Sequence, residues 1–169
     1  KLFSVTGARD VLTLAVKCGE HLLTQPRIGT PGRRSWLGFA VADCAPIMLS
    51  RALNGMSHGA AGFAYALAAL ASASGREDFA CAAEECISFE NETFSKERCN
   101  WPDFRLKGNE TEPAWLCQWC HGAGGIGLAR LGILPRGNLQ RETLMLDIQR
   151  AVQCVQAEWP YSGDSLCCG

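Results

Sequence analysis

His58-Gly59-Ala60-Ala61-Gly62-Phe63 and His121-Gly122-Ala123-Gly124-Gly125-Ile126 are two statements of one pattern, 63 residues apart. Each opens an apolar, small-residue segment, and Ala66 and Ala129 continue the match further in. A third copy begins at Cys168-Gly169, 47 residues after the second. A repeat of this length reads as one supersecondary unit used several times: an inner helix, a loop and an outer amphipathic helix. Glycines at the start of the inner helices let their backbones approach closely. In a ring of such hairpins the starts of the inner helices converge on one end of the axis. His58, Cys120, His121, Cys167 and Cys168 all stand at those starts.

Outward from the repeat, hydrophobic spacing predicts helices. Val11, Leu12, Ala15, Val16, Leu22 and Leu23 form one face of a helix ending near Pro26, and a Gly-, Pro- and Arg-rich loop follows over 26–38. Phe39 to Leu53 reads as a second helix with Pro46 in its first turn. Gly59 to Ser74 is apolar nearly all round and reads as an inner helix. Asp78 to Phe94 sets Phe79, Cys86, Ile87 and Phe94 against Glu84, Glu85 and Glu92, as an outer helix does. Gly122 to Leu134 is the second inner helix, stopped by Pro135, and Asn138 is placed to cap the outer helix carrying Leu144, Ile148, Ala151, Val152 and Val155. Residues 95–115 show neither period and form a long loop of the kind that often serves function. No run alternates convincingly as a strand, so the expected fold is all-α.

Composition narrows the function classes. Sixteen basic and 17 acidic residues leave a formal net charge of -1, which gives no reason to expect nucleic acid or an anionic membrane as partner. The longest apolar run, Gly59 to Ala73, falls short of the roughly 20 residues that span a bilayer. Ten cysteines in 169 residues lie below the density of a disulfide scaffold, and no signal peptide precedes them, so reduced thiols and a cytoplasmic location are expected. A chain that starts on Lys1 and stops inside the third copy reads as a piece of a longer domain, truncated at both ends.

Three thiolates at a convergent point suit zinc with one position left open, which makes Cys120, Cys167 and Cys168 candidate ligands. Cys117 forms a C-Q-W-C pair with Cys120, so a closed four-thiolate zinc site or a redox dithiol stays open as an alternative, as do plain buried thiols. Cys18, Cys44, Cys81, Cys86, Cys99 and Cys154 have no partner at ligand spacing and read as packing residues. His58 is the candidate acid or base, and His21 a surface histidine. Asn91-Glu-Thr93 and Asn109-Glu-Thr111 match glycosylation acceptors, a short pattern that arises easily by chance.

Ser57 to Ala64 (S-H-G-A-A-G-F-A), Asn100 to Arg105 (N-W-P-D-F-R), Trp119 to Leu131 (W-C-H-G-A-G-G-I-G-L-A-R-L) and Leu166 to Gly169 (L-C-C-G) together resemble the cyclase domain of lanthipeptide synthetases. The resemblance is nearest to the bifunctional class II, LanM-type enzymes and runs from about Ser35 to Gly169. It implies a partial α/α toroid with one zinc, and addition of peptide cysteine thiols to dehydroalanine or dehydrobutyrine. The implied partner is a dehydrated precursor peptide; a dehydratase domain ahead of Lys1 in the full-length chain would separate this reading from a non-catalytic one. By resemblance Cys120 and Cys167 match ligand cysteines, and Cys168 stands where most members carry a histidine, as in the three-cysteine subgroup. His58 matches the cavity histidine that acts in proton transfer, while His121 falls at a variable position with a supporting role. The family's cavity aspartate lies upstream of Lys1. Two other readings differ in class: a non-catalytic zinc protein of the same fold that binds glutathione or other thiols, and a carbohydrate-active toroid. The last needs paired carboxylates at the inner-helix tips, where this sequence has histidine and cysteine.

Overall fold

The computed structural model describes residues 2–37, 51–105 and 112–158. Those residues hold six α-helices, one small hairpin and a 3-10 turn (Leu134–Arg136), joined by loops: α1 (Leu2–Thr6), α2 (Arg9–Thr24), β1 (Ile28–Thr30), β2 (Arg33–Ser35), α3 (Ala60–Ser74), α4 (Glu77–Thr93), α5 (Ala123–Ile133) and α6 (Arg141–Glu158). The fold is all-α apart from that hairpin.

The helices follow the expected bounds closely, because long periodic segments carry their own signal. α3 is apolar on every side and buries Ala60, Ala61, Ala64, Leu67, Ala68 and Ala71. It packs on α4, which turns Phe79, Ala83, Cys86 and Ile87 inward, and α5 packs on α6 in the same way. α3 and α5 lie side by side, as two small-residue helices should. Gly75, in the left-handed conformation, closes α3 with its N–H on the Ala71 carbonyl. α5 is less enclosed than its composition suggests: Leu128 and Leu131 are half exposed and, with Trp119 and Val152, border an apolar groove between α5 and α6.

Two local expectations need correction. Within the 26–38 loop, β1 and β2 pair antiparallel with Ile28 opposite Ser35 and Thr30 opposite Arg33, joined by Pro31-Gly32. Three-residue strands are too short to show alternation, and this pair is held from outside. Arg27 and Arg34 both reach Glu85 of α4, at 2.6 and 2.9 Å, and buried Trp36 packs its ring 5.1 Å from Phe63. Asn138 does not cap α6. Its side-chain N–H donates to the Ala68 carbonyl of α3 at 3.0 Å, and the helix starts three residues later, at Arg141. Pro135 ends α5 through a 3-10 turn, Leu134–Arg136. The helix expected over Phe39 to Leu53 lies largely outside the described residues.

An unexpected charge sits at the centre. Arg130, inside apolar α5, is fully buried and bonds Glu90 of α4 at 2.7 Å and Asp147 of α6 at 3.0 Å, both fully buried as well. Arg150 adds a second cation 3.3 Å from Asp147, and Asn91, in the amide orientation its neighbours require, donates to the same carboxylate. Two cations thus face two carboxylates, which is the condition for keeping charge in a dry interior.

Candidate functional site

Glu90 reaches from this network to the loop that leads into α3. Its second oxygen accepts the N–H groups of Gly55 and Ala61, at 2.9 and 3.0 Å. A carboxylate at a helix N-terminus satisfies free N–H groups and suits the helix dipole, so Glu90 does from α4 what a local cap would do. α5 has its own remote anchor. Asn100 accepts the N–H of Ala123 at 3.0 Å and donates to the Leu116 carbonyl at 3.1 Å. Each inner helix is therefore held at its start by a polar side chain from a distant segment.

These anchors bring the two lead-in loops together. Ser57 N–H donates to the Cys120 carbonyl at 3.3 Å, so the first and second copies of the repeat touch directly. Gly55, at φ +107°, permits this approach: a Cβ there would stand 2.5 Å from the Cys120 carbonyl oxygen and 2.9 Å from the His121 Cα. Gly122, at φ +86°, likewise leaves room for the Leu116 carbonyl. Around it, Cys117 bridges to Gly122 and Gln118 N–H donates to the His121 carbonyl, closing a tight turn that carries Cys120 and His121. Asn54 ties the first of these loops to the N-W-P-D-F-R loop, donating to the Pro102 carbonyl at 2.9 Å.

On this platform the rings of His58 and His121 stack, with centroids 5.4 Å apart and planes 12° from parallel. His58 is exposed; His121 beneath it has no exposed surface. Asp103, from the N-W-P-D-F-R loop, stands 3.9 Å from His121 Nδ1, and Arg105 pairs with it at 2.6 Å. Neither ring nitrogen of His121 has a hydrogen-bond partner among the described residues. Burial pushes the His121 pKa below its ordinary value, against the pull of Asp103 and with help from Arg105 and His58. A neutral imidazole therefore underlies His58. Burial opposes ionisation of Asp103 too, yet the Arg105 side chain and backbone N–H outweigh it and hold that carboxyl below the usual range.

Of the residues expected at the site, His58, Cys120 and His121 are brought together, while Cys167 and Cys168 lie outside the described residues. Cys120 is almost fully buried, its sulfur 3.7 Å from the Gln118 side-chain oxygen. The Cys117 sulfur lies 3.6 Å from that of Cys154 on α6. Among the described residues no three His, Cys, Asp or Glu side chains stand close enough to hold a metal ion. Two cysteines expected in packing roles, Cys18 and Cys81, are exposed instead; Cys86 and Cys154 are buried as expected, Cys99 is half-buried, and Cys44 lies outside the described residues. Spacing did not single out Asn100 and Asp103, although both sit in the N-W-P-D-F-R stretch; an isolated polar residue in a loop has no period to betray it.

The family model for lanthionine synthetase C-like proteins matches residues 1–169. The chain belongs to this family. No curated protein and no solved structure matches it. In this lanthionine synthetase C-like chain, then, the repeated His-Gly and Cys-His-Gly starts are the places where consecutive hairpins meet. No helix among the described residues is long and apolar enough to cross a membrane.

Proposed function

We propose that the chain is part of a zinc-dependent cyclase that forms lanthionine or methyllanthionine in a dehydrated precursor peptide, of the LanM type. The observation that carries this reading is the contact between repeat copies, which sets an exposed His58 on His121 beside the turn bearing Cys120. Cys120 supplies one soft donor at that point; Cys167 and Cys168, at the third copy, would complete a three-thiolate shell. Zinc bound there would favour the thiolate form of a substrate cysteine at neutral pH. When that sulfur bonds to the β-carbon of a dehydroamino acid, the carbon–carbon double bond opens and the α-carbon needs a proton. His58 is the exposed group placed to deliver it. The stack leaves the ring nitrogens of His58 directed sideways, away from His121.

Metal content and thiol loss test the reading. The chain purified with zinc should hold about one ion, and Cys120→Ala, Cys167→Ala and Cys168→Ala should each release it while His58→Asn does not. In the full-length enzyme, His58→Asn should slow the disappearance of alkylatable thiol from a dehydrated peptide, since ring closure consumes that thiol without changing mass. Zinc retained by all three alanine variants, or lost from His58→Asn, would overturn the assignment. Zinc and glutathione binding with no thiol loss would favour the non-catalytic alternative.

A further inference from the structure

Cys117 and Cys154 come from segments 37 residues apart, the turn before α5 and the inner face of α6, yet their sulfurs are 3.6 Å apart. Both are buried in the cluster formed by Ala61, Trp101, Ala123, Ile126, Ala129 and Ala151. A third thiol stands nearby. Cys99 is half-buried and holds the left-handed backbone at φ 49°, and its sulfur lies 3.8 Å from the side-chain oxygen of Gln153, next to Cys154. A non-glycine residue held in that region stores strain that its surroundings must maintain.

We infer that Cys117 and Cys154 are an oxidisable dithiol that closes to a disulfide with a peroxide as oxidant, fastening the turn that carries Cys120 to α6. The inference rests on the placement of two sulfurs and stands apart from the cyclase reading. A disulfide needs an S–S distance of about 2.05 Å, so the pair must close by roughly 1.5 Å. Cys117 is the more accessible of the two, and Cys154 donates its S–H toward it, an interaction that together with burial keeps Cys154 protonated. Peroxide delivers one oxygen to the Cys117 sulfur, giving a sulfenic acid and one water. The Cys154 sulfur then displaces the hydroxyl group, which leaves with the Cys154 proton as a second water. The thiols lose two electrons and the peroxide gains them.

The experiment uses the whole chain with Cys18→Ser and Cys81→Ser, which removes two exposed thiols that cross-link molecules. Reduced protein is treated with one equivalent of hydrogen peroxide, quenched, unfolded and labelled with N-ethylmaleimide. The expected result is two labels fewer per chain, restored by dithiothreitol. Cleavage after Trp119, Glu142 and Glu158 puts Cys117, Cys120, Cys154 and the Cys167–Cys168 pair on four different peptides, and should yield one linked product joining the Cys117 peptide to 143–158. The single change Cys154→Ala should abolish that linked product and cut the peroxide-dependent loss from two labels to at most one, at Cys117. A link from Cys117 to Cys120, a link within Cys120, Cys167 and Cys168, or unchanged labelling would each overturn the inference. The peptide map needs no variant at either sulfur, so a poorly folding Cys154→Ala does not blunt the test.

Discussion

His121 shows how one side chain can serve a site it does not expose. Its ring fills a buried space under His58, and its neutral form places no charge beneath that residue. His121→Ala should open a cavity and cost about 2 kcal/mol of stability, whereas His121→Phe keeps an aromatic face and should cost less. The chain has three histidines, so their ring protons are few enough to follow. In His121→Ala the His58 signal should move downfield as the stacked ring disappears, and in His121→Phe it should stay upfield. An unmoved signal in the alanine variant would show that the stack is absent in solution. Cys86 makes a second case. Burial pushes its thiol up to about 12, so iodoacetamide at pH ~8 should modify exposed Cys18 and Cys81 and leave Cys86 intact until the fold is lost. Labelling of Cys86 on the same timescale as Cys18 would contradict its burial. Single residues were the least legible part of the sequence. Cys18 and Cys81 fall on helices but face water, and nothing in their spacing marked that side. His58 and Cys120 stand out as candidates only because a repeat makes their positions equivalent.

Helices, by contrast, announced themselves. α2, α3, α4 and α6 carry enough turns for apolar spacing to average out exceptions, and their ends fell within a few residues of expectation. What spacing left out is how the elements are fastened. Glu90 shares the buried side of α4 with Cys86 and Ile87, and Arg130 lies within apolar α5, and spacing alone shows neither's partner across the interior. The β1–β2 hairpin has the same explanation, since its stability lies with Glu85 and Phe63 in other elements. Remote anchoring has a measurable cost when removed. Asn100→Ala leaves the Ala123 N–H and the Leu116 carbonyl without their partner, and should destabilise the chain by about 1–3 kcal/mol in urea unfolding. Glu90→Gln keeps the shape but leaves Arg130 with one fewer buried counter-charge, and should cost about 3–5 kcal/mol. A loss below 1 kcal/mol in either variant would mean the bond is replaced by water.

Across the whole molecule, pH sensitivity follows from groups whose protonation differs between folded and unfolded chains. Asp103 has its folded pKa held below the ordinary aspartate value of about 3.9, so its contribution is complete above that value and is lost as pH falls through the folded pKa. Asp103→Asn should therefore be less stable than the parent chain near pH ~7, and the two should converge near pH ~2. A gap that persists in acid would assign the effect to shape instead of charge. Arg130 has a longer reach. It lies seven residues after Ala123, two turns into α5, and meets carboxylates from two other helices at once. Slipping a helix by one residue turns it about 100° and slides it about 1.5 Å. Either movement would carry the guanidinium off both partners, and the same rotation would swing His121 out from under His58. The bearing of the turn that carries Cys120 and His121 is thus set like a key in a lock, by a charge buried two turns away.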